Sequence, residues 1–194
     1  MLSLGEMLYS LFKIFDIALD YKTSLLMYVA VLTDTGSFRY ENTRPETHRI
    51  AADLLLKGVN PNNVYNRIFE NNSIERLHII GNSLLHAKEK DGIGWVSIKK
   101  DDLKKYKVKP DDLEGVIDFV RSIKGIKAAV VFQEAGDNLV KVSFRSRDEK
   151  VNVNKIAALF GGGGHRMAAG CRIKGSLDEA VSRVLKEIKK YLRG

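Results

Sequence analysis

The chain has 194 residues, 44% of them hydrophobic, enough for one ordinary domain or two small ones with real cores. It has no run of about 18 apolar residues, which excludes a membrane-spanning helix. Its single cysteine, Cys171, excludes an internal disulfide and fits a reducing compartment, the cytoplasm. The net charge is +8 and is unevenly placed. Residues 141–194 carry 13 Lys/Arg against 5 Asp/Glu, while the first 140 residues carry 19 of each. Such a field draws phosphate-bearing partners. Much of it, from Arg183 to Arg193, reads as the solvated face of the last helix, but Arg145, Arg147 and Arg166 lie elsewhere.

Met1 to Glu6 lacks the basic end and small-residue cleavage site of a signal peptide. Residues 3–15 read as a buried amphipathic helix, and 22–32 as a second helix, apolar nearly all round. The second runs into Thr33-Asp34-Thr35-Gly36-Ser37-Phe38-Arg39. Asp34 there suits a cap for the following N–H groups or a hard oxygen ligand for a divalent metal. Thr43-x-x-Glu46 is a capping box opening a helix over 44–57, with Pro45 in its first turn. Asn60-Pro61 starts the next helix. Ser73 caps a longer one to Lys90, with apolar contacts expected at Ile74, Leu77, Leu84 and Leu85.

The charged stretch from Lys88 to Gly92 marks a boundary between a mostly helical part, 1–88, and a small mixed-sheet α/β part, 89–194. Residues 94–98 read as a strand and 110–123 as a helix. A hairpin joins 126–134 to 139–147, in which Val140, Val142 and Phe144 alternate with Lys141, Ser143 and Arg145. Asn152 or Asn154 caps a short helix to Phe160. A strand over 166–173 and a helix capped by Ser176-x-x-Glu179 end the chain, giving four or five strands.

Between these last elements lies Phe160-Gly-Gly-Gly-Gly-His-Arg-Met-Ala-Ala-Gly170. Four glycines in a row are costly in any packed element, so the backbone there must turn sharply or approach something closely. Successive amides can form a nest for an anion, with His165 as a titratable donor at its lip. A helix C-cap leading into a loose loop needs one glycine, not four. Cys171 reads as a small packing residue rather than a nucleophile.

That glycine segment resembles the signature of the DHH-associated C-terminal domain of DHH phosphoesterases, and Leu32 to Arg39 resembles the last metal motif of their catalytic domain. Within this family the chain is most similar to the nanoRNase branch, which degrades short oligoribonucleotides and dephosphorylates adenosine 3′,5′-bisphosphate. The resemblance implies a metal-dependent phosphodiesterase or phosphatase with a two-manganese (Mn²⁺) centre. It implies Asp34 as one metal ligand, and Arg145, Ser146, Gly162, Gly163, Gly164 and His165 as substrate-binding residues. The family's Asp-His-His triplet and earlier metal segment have no counterpart here, so no catalytic set is complete in this chain. His48, His78 and His86 read as ordinary polar histidines. The resemblance therefore implies the substrate-binding C-terminal portion of such an enzyme, inactive alone, with a homodimer partner or an N-terminal half completing it. The alternatives are a non-catalytic module for tRNA or single strands, like that appended to alanyl-tRNA synthetases, and a fragment of a RecJ-type single-strand exonuclease.

Overall fold

The computed structural model describes residues 3–193, which divide into two compact units between Asn71 and Asn72. The first unit is helical: α1 (Leu4–Ile14), α2 (Tyr21–Asp34), α3 (Pro45–Leu56) and α4 (Pro61–Phe69). Ser3 begins α1 with a capping box. Its hydroxyl accepts from the Glu6 N–H, and the Glu6 carboxylate accepts from the Ser3 N–H at 2.7 Å. Glu6 is fully buried, and its other oxygen accepts from the Thr47 hydroxyl and from Arg44. A buried carboxylate is tolerable because each of these donors replaces water. Gly5 lets α1 and α2 approach; a Cβ there would lie 2.8 Å from the Met27 carbonyl oxygen.

Three expectations for this unit are corrected. α1 is not buried all along: Leu4, Met7, Leu11 and Ile14 are exposed. α2 is one-sided, burying Met27, Tyr28, Val31 and Leu32 while Leu26 stays 61% exposed. α3 starts one residue later than the Thr43 box predicts. The Arg44 N–H donates to Thr47 Oγ1 at 3.1 Å, whereas the Thr43 hydroxyl is buried without a partner among the described residues. Asn60 does cap α4, through the Asn63 N–H.

The second unit contains α5 (Ile74–Leu85), β1 (Lys88–Lys90), β2 (Ile93–Ile98), α6 (Lys100–Tyr106), a 3₁₀ turn (Pro110–Leu113), α7 (Val116–Ser122), β3 (Ala128–Gly136), β4 (Leu139–Ser146), α8 (Val153–Ala158), β5 (Gly163–His165), β6 (Ala168–Lys174) and α9 (Leu177–Arg193). Six strands form one mixed sheet in the order β1-β2-β3-β4-β6-β5. Only β2 and β3 run parallel, so the chain must cross over between them, through α6 and α7. The two extra strands are the three-residue edges β1 and β5, read from sequence as a helix end and a loop.

Strand alternation makes two cores. Val130, Phe132, Val142 and Phe144 pack on one face with α8 and α9, through Ile156, Val184 and Ile188. Ala129, Val131, Val96 and Ile98 pack on the other face with α5 and α7, through Ile79, Ile80 and Val116. The boundary at 71/72 rather than 88/89 follows from that second core, which holds α5. The side of α5 that packs is Ile79, Ile80 and Ser83; Ile74, Leu77 and Leu85, expected as contacts, are exposed. The helix expected over 110–123 is broken by Gly115, whose φ of +88° lies in the left-handed region.

Candidate functional site

The glycine run does three different jobs. Gly161, at φ +71°, ends α8; the Gly161 and Gly162 N–H groups donate to the Ala158 and Ala157 carbonyls at 3.1 and 3.0 Å. Those two amides are therefore not free to line a nest. Gly162 then passes against β6, where a Cβ would fall 2.2 Å from the Gly170 carbonyl oxygen. Gly164, at φ +143°, lies so close that a Cβ would meet the Ala168 oxygen at 2.6 Å. Gly163 to His165 form β5, paired antiparallel to β6 at the sheet edge.

Register decides which side chains share a face. Arg145 pairs with Ala168, and Ala168 pairs with His165. Ser143 pairs with Gly170, and Gly170 with Gly163; Lys141 pairs with Arg172. Directly opposed residues point to the same side of a sheet. These residues alternate with the core-facing Val142, Phe144, Ala169 and Cys171, so all of them look away from α8 and α9. The result is a floor of Ala168, Gly170, Gly163 and Ser143, rimmed by Arg145, His165, Lys141 and Arg172. Lys141, Arg172, Gly163 and His165 are exposed, the others half-buried. Part of this floor is a cavity of about 350 Å³ lined by Lys141, Ser143, Gly161, Gly162, Gly170 and Arg172. Cys171 also lines it, but burial pushes its thiol up to about 11, which keeps it protonated and inert.

Two strand spacings, roughly 9–10 Å, separate the Arg145 and His165 backbones, with only a methyl between them. Arg145 donates one N–H to the Phe144 carbonyl at 3.1 Å and otherwise has no partner among the described residues. An anion resting on Ala168 has a guanidinium on one side and an imidazole on the other. Arg147 and Arg166 are different. Their guanidinium groups donate to the backbone carbonyls of Arg121 and of Glu149.

Ser146 lies at the end of β4, but it is 1% exposed. Its hydroxyl donates to the Asp148 carbonyl at 2.7 Å and accepts from the Asp148 N–H at 3.1 Å. This hydroxyl shapes the turn after β4 and faces inward rather than toward the floor.

Asp34 belongs to the first unit, the other site residues to the second. It is the last residue of α2, and its carboxylate accepts from the Leu4 N–H at 3.2 Å, at the start of α1. It does not cap its own turn: Thr35 does, accepting from the Phe38 N–H. That turn holds Gly36, Ser37 and Phe38 in succession at positive φ. Among the described residues no three His, Cys, Asp or Glu side chains cluster as a metal site would. Asp34 thus offers one oxygen donor, and the residues present do not fit a two-metal centre on their own. Of the other histidines, His48 stacks on Phe38 at 5.1 Å, His78 lies 6.4 Å from the Tyr106 ring, and His86 Nδ1 contacts the Asn82 carbonyl.

Sequence reasoning missed Lys141, Ser143, Gly170 and Arg172 as site residues. The alternation in β4 was visible, and it already placed Lys141 and Ser143 beside Arg145. The pairing partner of that face was not.

In sequence and in fold the chain is similar to known proteins. The DHHA1 domain model matches residues 81–194. The chain is 31% identical over 192 residues to the bifunctional oligoribonuclease and PAP phosphatase NrnA of Bacillus subtilis, covering 96% of this chain and 59% of that protein. It is 37% identical over 164 residues to the protein of the same name from Thermus thermophilus, covering 84% and 48%. The chain thus spans about half the length of these curated relatives. A solved structure of an exopolyphosphatase-related protein from Bacteroides fragilis superposes with a TM-score of 0.90 at 27% identity, over 97% of this chain and 56% of that one. With the match covering most of the second unit, including the floor and its rim, the chain belongs to the DHHA1 domain family and carries a DHH-associated C-terminal domain of the nanoRNase type.

Proposed function

We propose that the second unit is the substrate-holding part of a phosphoesterase that acts on short oligoribonucleotides and adenosine 3′,5′-bisphosphate. The observation that carries this reading is the row Arg145–Ala168–His165 on the open face of the sheet. A terminal phosphate on Ala168 accepts from the Arg145 guanidinium and from the His165 ring, which are charge-assisted bonds stronger than neutral ones. Gly163 and Gly170 keep the floor flat, so a ribose or base can lie along it without meeting a side chain. Gly162 and Gly164 serve indirectly, by letting β5 lie close to β6. Ser146 positions the turn that follows Arg145. The names of the two NrnA relatives support the substrate class.

Asp34 is assigned as one ligand of a manganese site whose other ligands come from a partner. No catalytic step is assigned to this chain. No helix among the described residues is long and apolar enough to cross a membrane; the cytoplasm is the proposed compartment.

Calorimetric titration with adenosine 3′,5′-bisphosphate tests the reading. Loss of a hydrogen bond to a charged group costs about 1.5–3 kcal/mol, so His165→Ala and Arg145→Ala each weaken binding by roughly tenfold to a hundredfold. Unchanged affinity in both variants removes the assignment. Affinity that climbs steadily with RNA length would favour a non-catalytic nucleic-acid module instead.

A further inference from the structure

Lys141 and Arg172 face each other directly across β4 and β6. Like charges in directly opposed strand positions repel. Both side chains are exposed, and neither has a carboxylate partner among the described residues. The same row continues to Gln133 on β3, which pairs with Lys141. Gln133 itself is only 5% exposed. Two unneutralised cations thus lie side by side, and both line the 350 Å³ cavity. Lys141 is four residues from Arg145 on the same strand and face, roughly 13 Å along the sheet.

We propose that Lys141 and Arg172 form a second phosphate subsite, which takes an internal phosphodiester of an oligonucleotide whose terminal phosphate lies between Arg145 and His165. This rests on the reading of the Arg145–His165 row given above. A nucleoside bisphosphate, with both phosphates on one ribose, fills only the first site. An oligoribonucleotide reaches both, and its affinity stops rising once the second site is filled.

The experiment compares adenosine 3′,5′-bisphosphate with a 5′-phosphorylated tetraribonucleotide, using the intact chain, the double variant Lys141→Gln/Arg172→Gln and His165→Ala. Both glutamine substitutions are at exposed strand positions, and a thermal melt checks their folding. The double variant is expected to bind the tetranucleotide roughly tenfold or more weakly. The slope of log affinity against log salt flattens by about 0.7, the value for one phosphate contact on a single strand. Its affinity for the bisphosphate falls by a clearly smaller factor, because that ligand bridges neither Lys141 nor Arg172 directly. Equal loss for both ligands, or no loss for the tetranucleotide, overturns the subsite. His165→Ala distinguishes the two failures. If it leaves both affinities unchanged, the first site is wrong and the subsite falls with it. If it weakens both while the double variant changes neither, only the subsite is wrong.

Discussion

Gly162 lies against Gly170 so closely that a Cβ on Gly162 would be 2.2 Å from the Gly170 carbonyl oxygen and 2.5 Å from Cys171 Cβ. That contact is backbone, which cannot swing aside as a flexible side chain can. Gly163, one residue on, has nothing nearer to a built Cβ than Asn154 Oδ1 at 3.9 Å. Adjacent glycines therefore have different surroundings, Gly162 against packed backbone and Gly163 on the open floor.

Substituting them separates stability from binding. Gly162→Ala should lower stability by about 1–3 kcal/mol, as overpacking does, and displace β5. Gly163→Ala should leave the urea midpoint nearly unchanged but weaken nucleotide binding, because its methyl would stand on the floor. Chemical denaturation and calorimetry on both variants check this. A large stability loss in Gly163→Ala with unaltered binding would reverse the two roles.

Glu6 sets an acid limit on the first unit. Burial alone raises its pKa, but the Thr47, Ser3 and Arg44 contacts outweigh that and hold it below the ordinary 4.5. A depressed carboxylate contributes stability that is present above the unfolded value and lost as pH falls through the folded one. Asp53, lowered chiefly by the hydrogen bond from Tyr9, acts in the same direction from 3.8. The first unit should be stable at pH 6 and weaken progressively below about pH 4.5, by the same linkage. Glu6→Gln should remove much of that pH dependence, measured by urea titration at pH 6 and pH 3. An unchanged acid slope in Glu6→Gln would mean that other groups govern it.

The Cys171 thiol, pushed up to about 11 by burial, carries almost no thiolate at pH 8. It should resist a disulfide-exchange reagent in native buffer and react fully in denaturant. Prompt native reaction would show the cavity wall opening there.

Ser146→Ala removes a buried hydroxyl that both donates to and accepts from Asp148. The expected effect is a stability loss of about 1–3 kcal/mol, with bisphosphate affinity retained in the folded fraction. Thermal melts alongside calorimetry check it. Loss of binding without loss of stability would make Ser146 a direct ligand.

How far the sequence foretold this arrangement depended on whether the signal was local. The Ser73, Asn60, Asn152 and Ser176 caps lie where their side chains need only reach three residues along the chain. The β3–β4 hairpin follows from alternation and a tight turn with Asn138 at positive φ. The face of α5 that packs was misread because Ile74, Leu77 and Leu85 are as apolar as Ile79 and Ile80. Only the second core decides between them. The Thr43 box failed because Thr47, held by the distant Glu6, completes the better cap. Arg145 and His165 were named through the family resemblance, but their placement on either side of Ala168 is a matter of register between separate strands. Lys141 opposite Arg172 is the same kind of fact, and no spacing along the chain encodes it.

The most direct test of the central claim is to map the phosphate site by backbone amide NMR shifts during titration with adenosine 3′,5′-bisphosphate. The account predicts the largest changes at Gly163, His165, Ala168, Gly170 and Arg145, saturating together with one affinity. Changes confined to the basic face of α9, around Lys186 to Lys190, would mean that the charge excess is a diffuse helix surface and that the open sheet face does not hold the nucleotide.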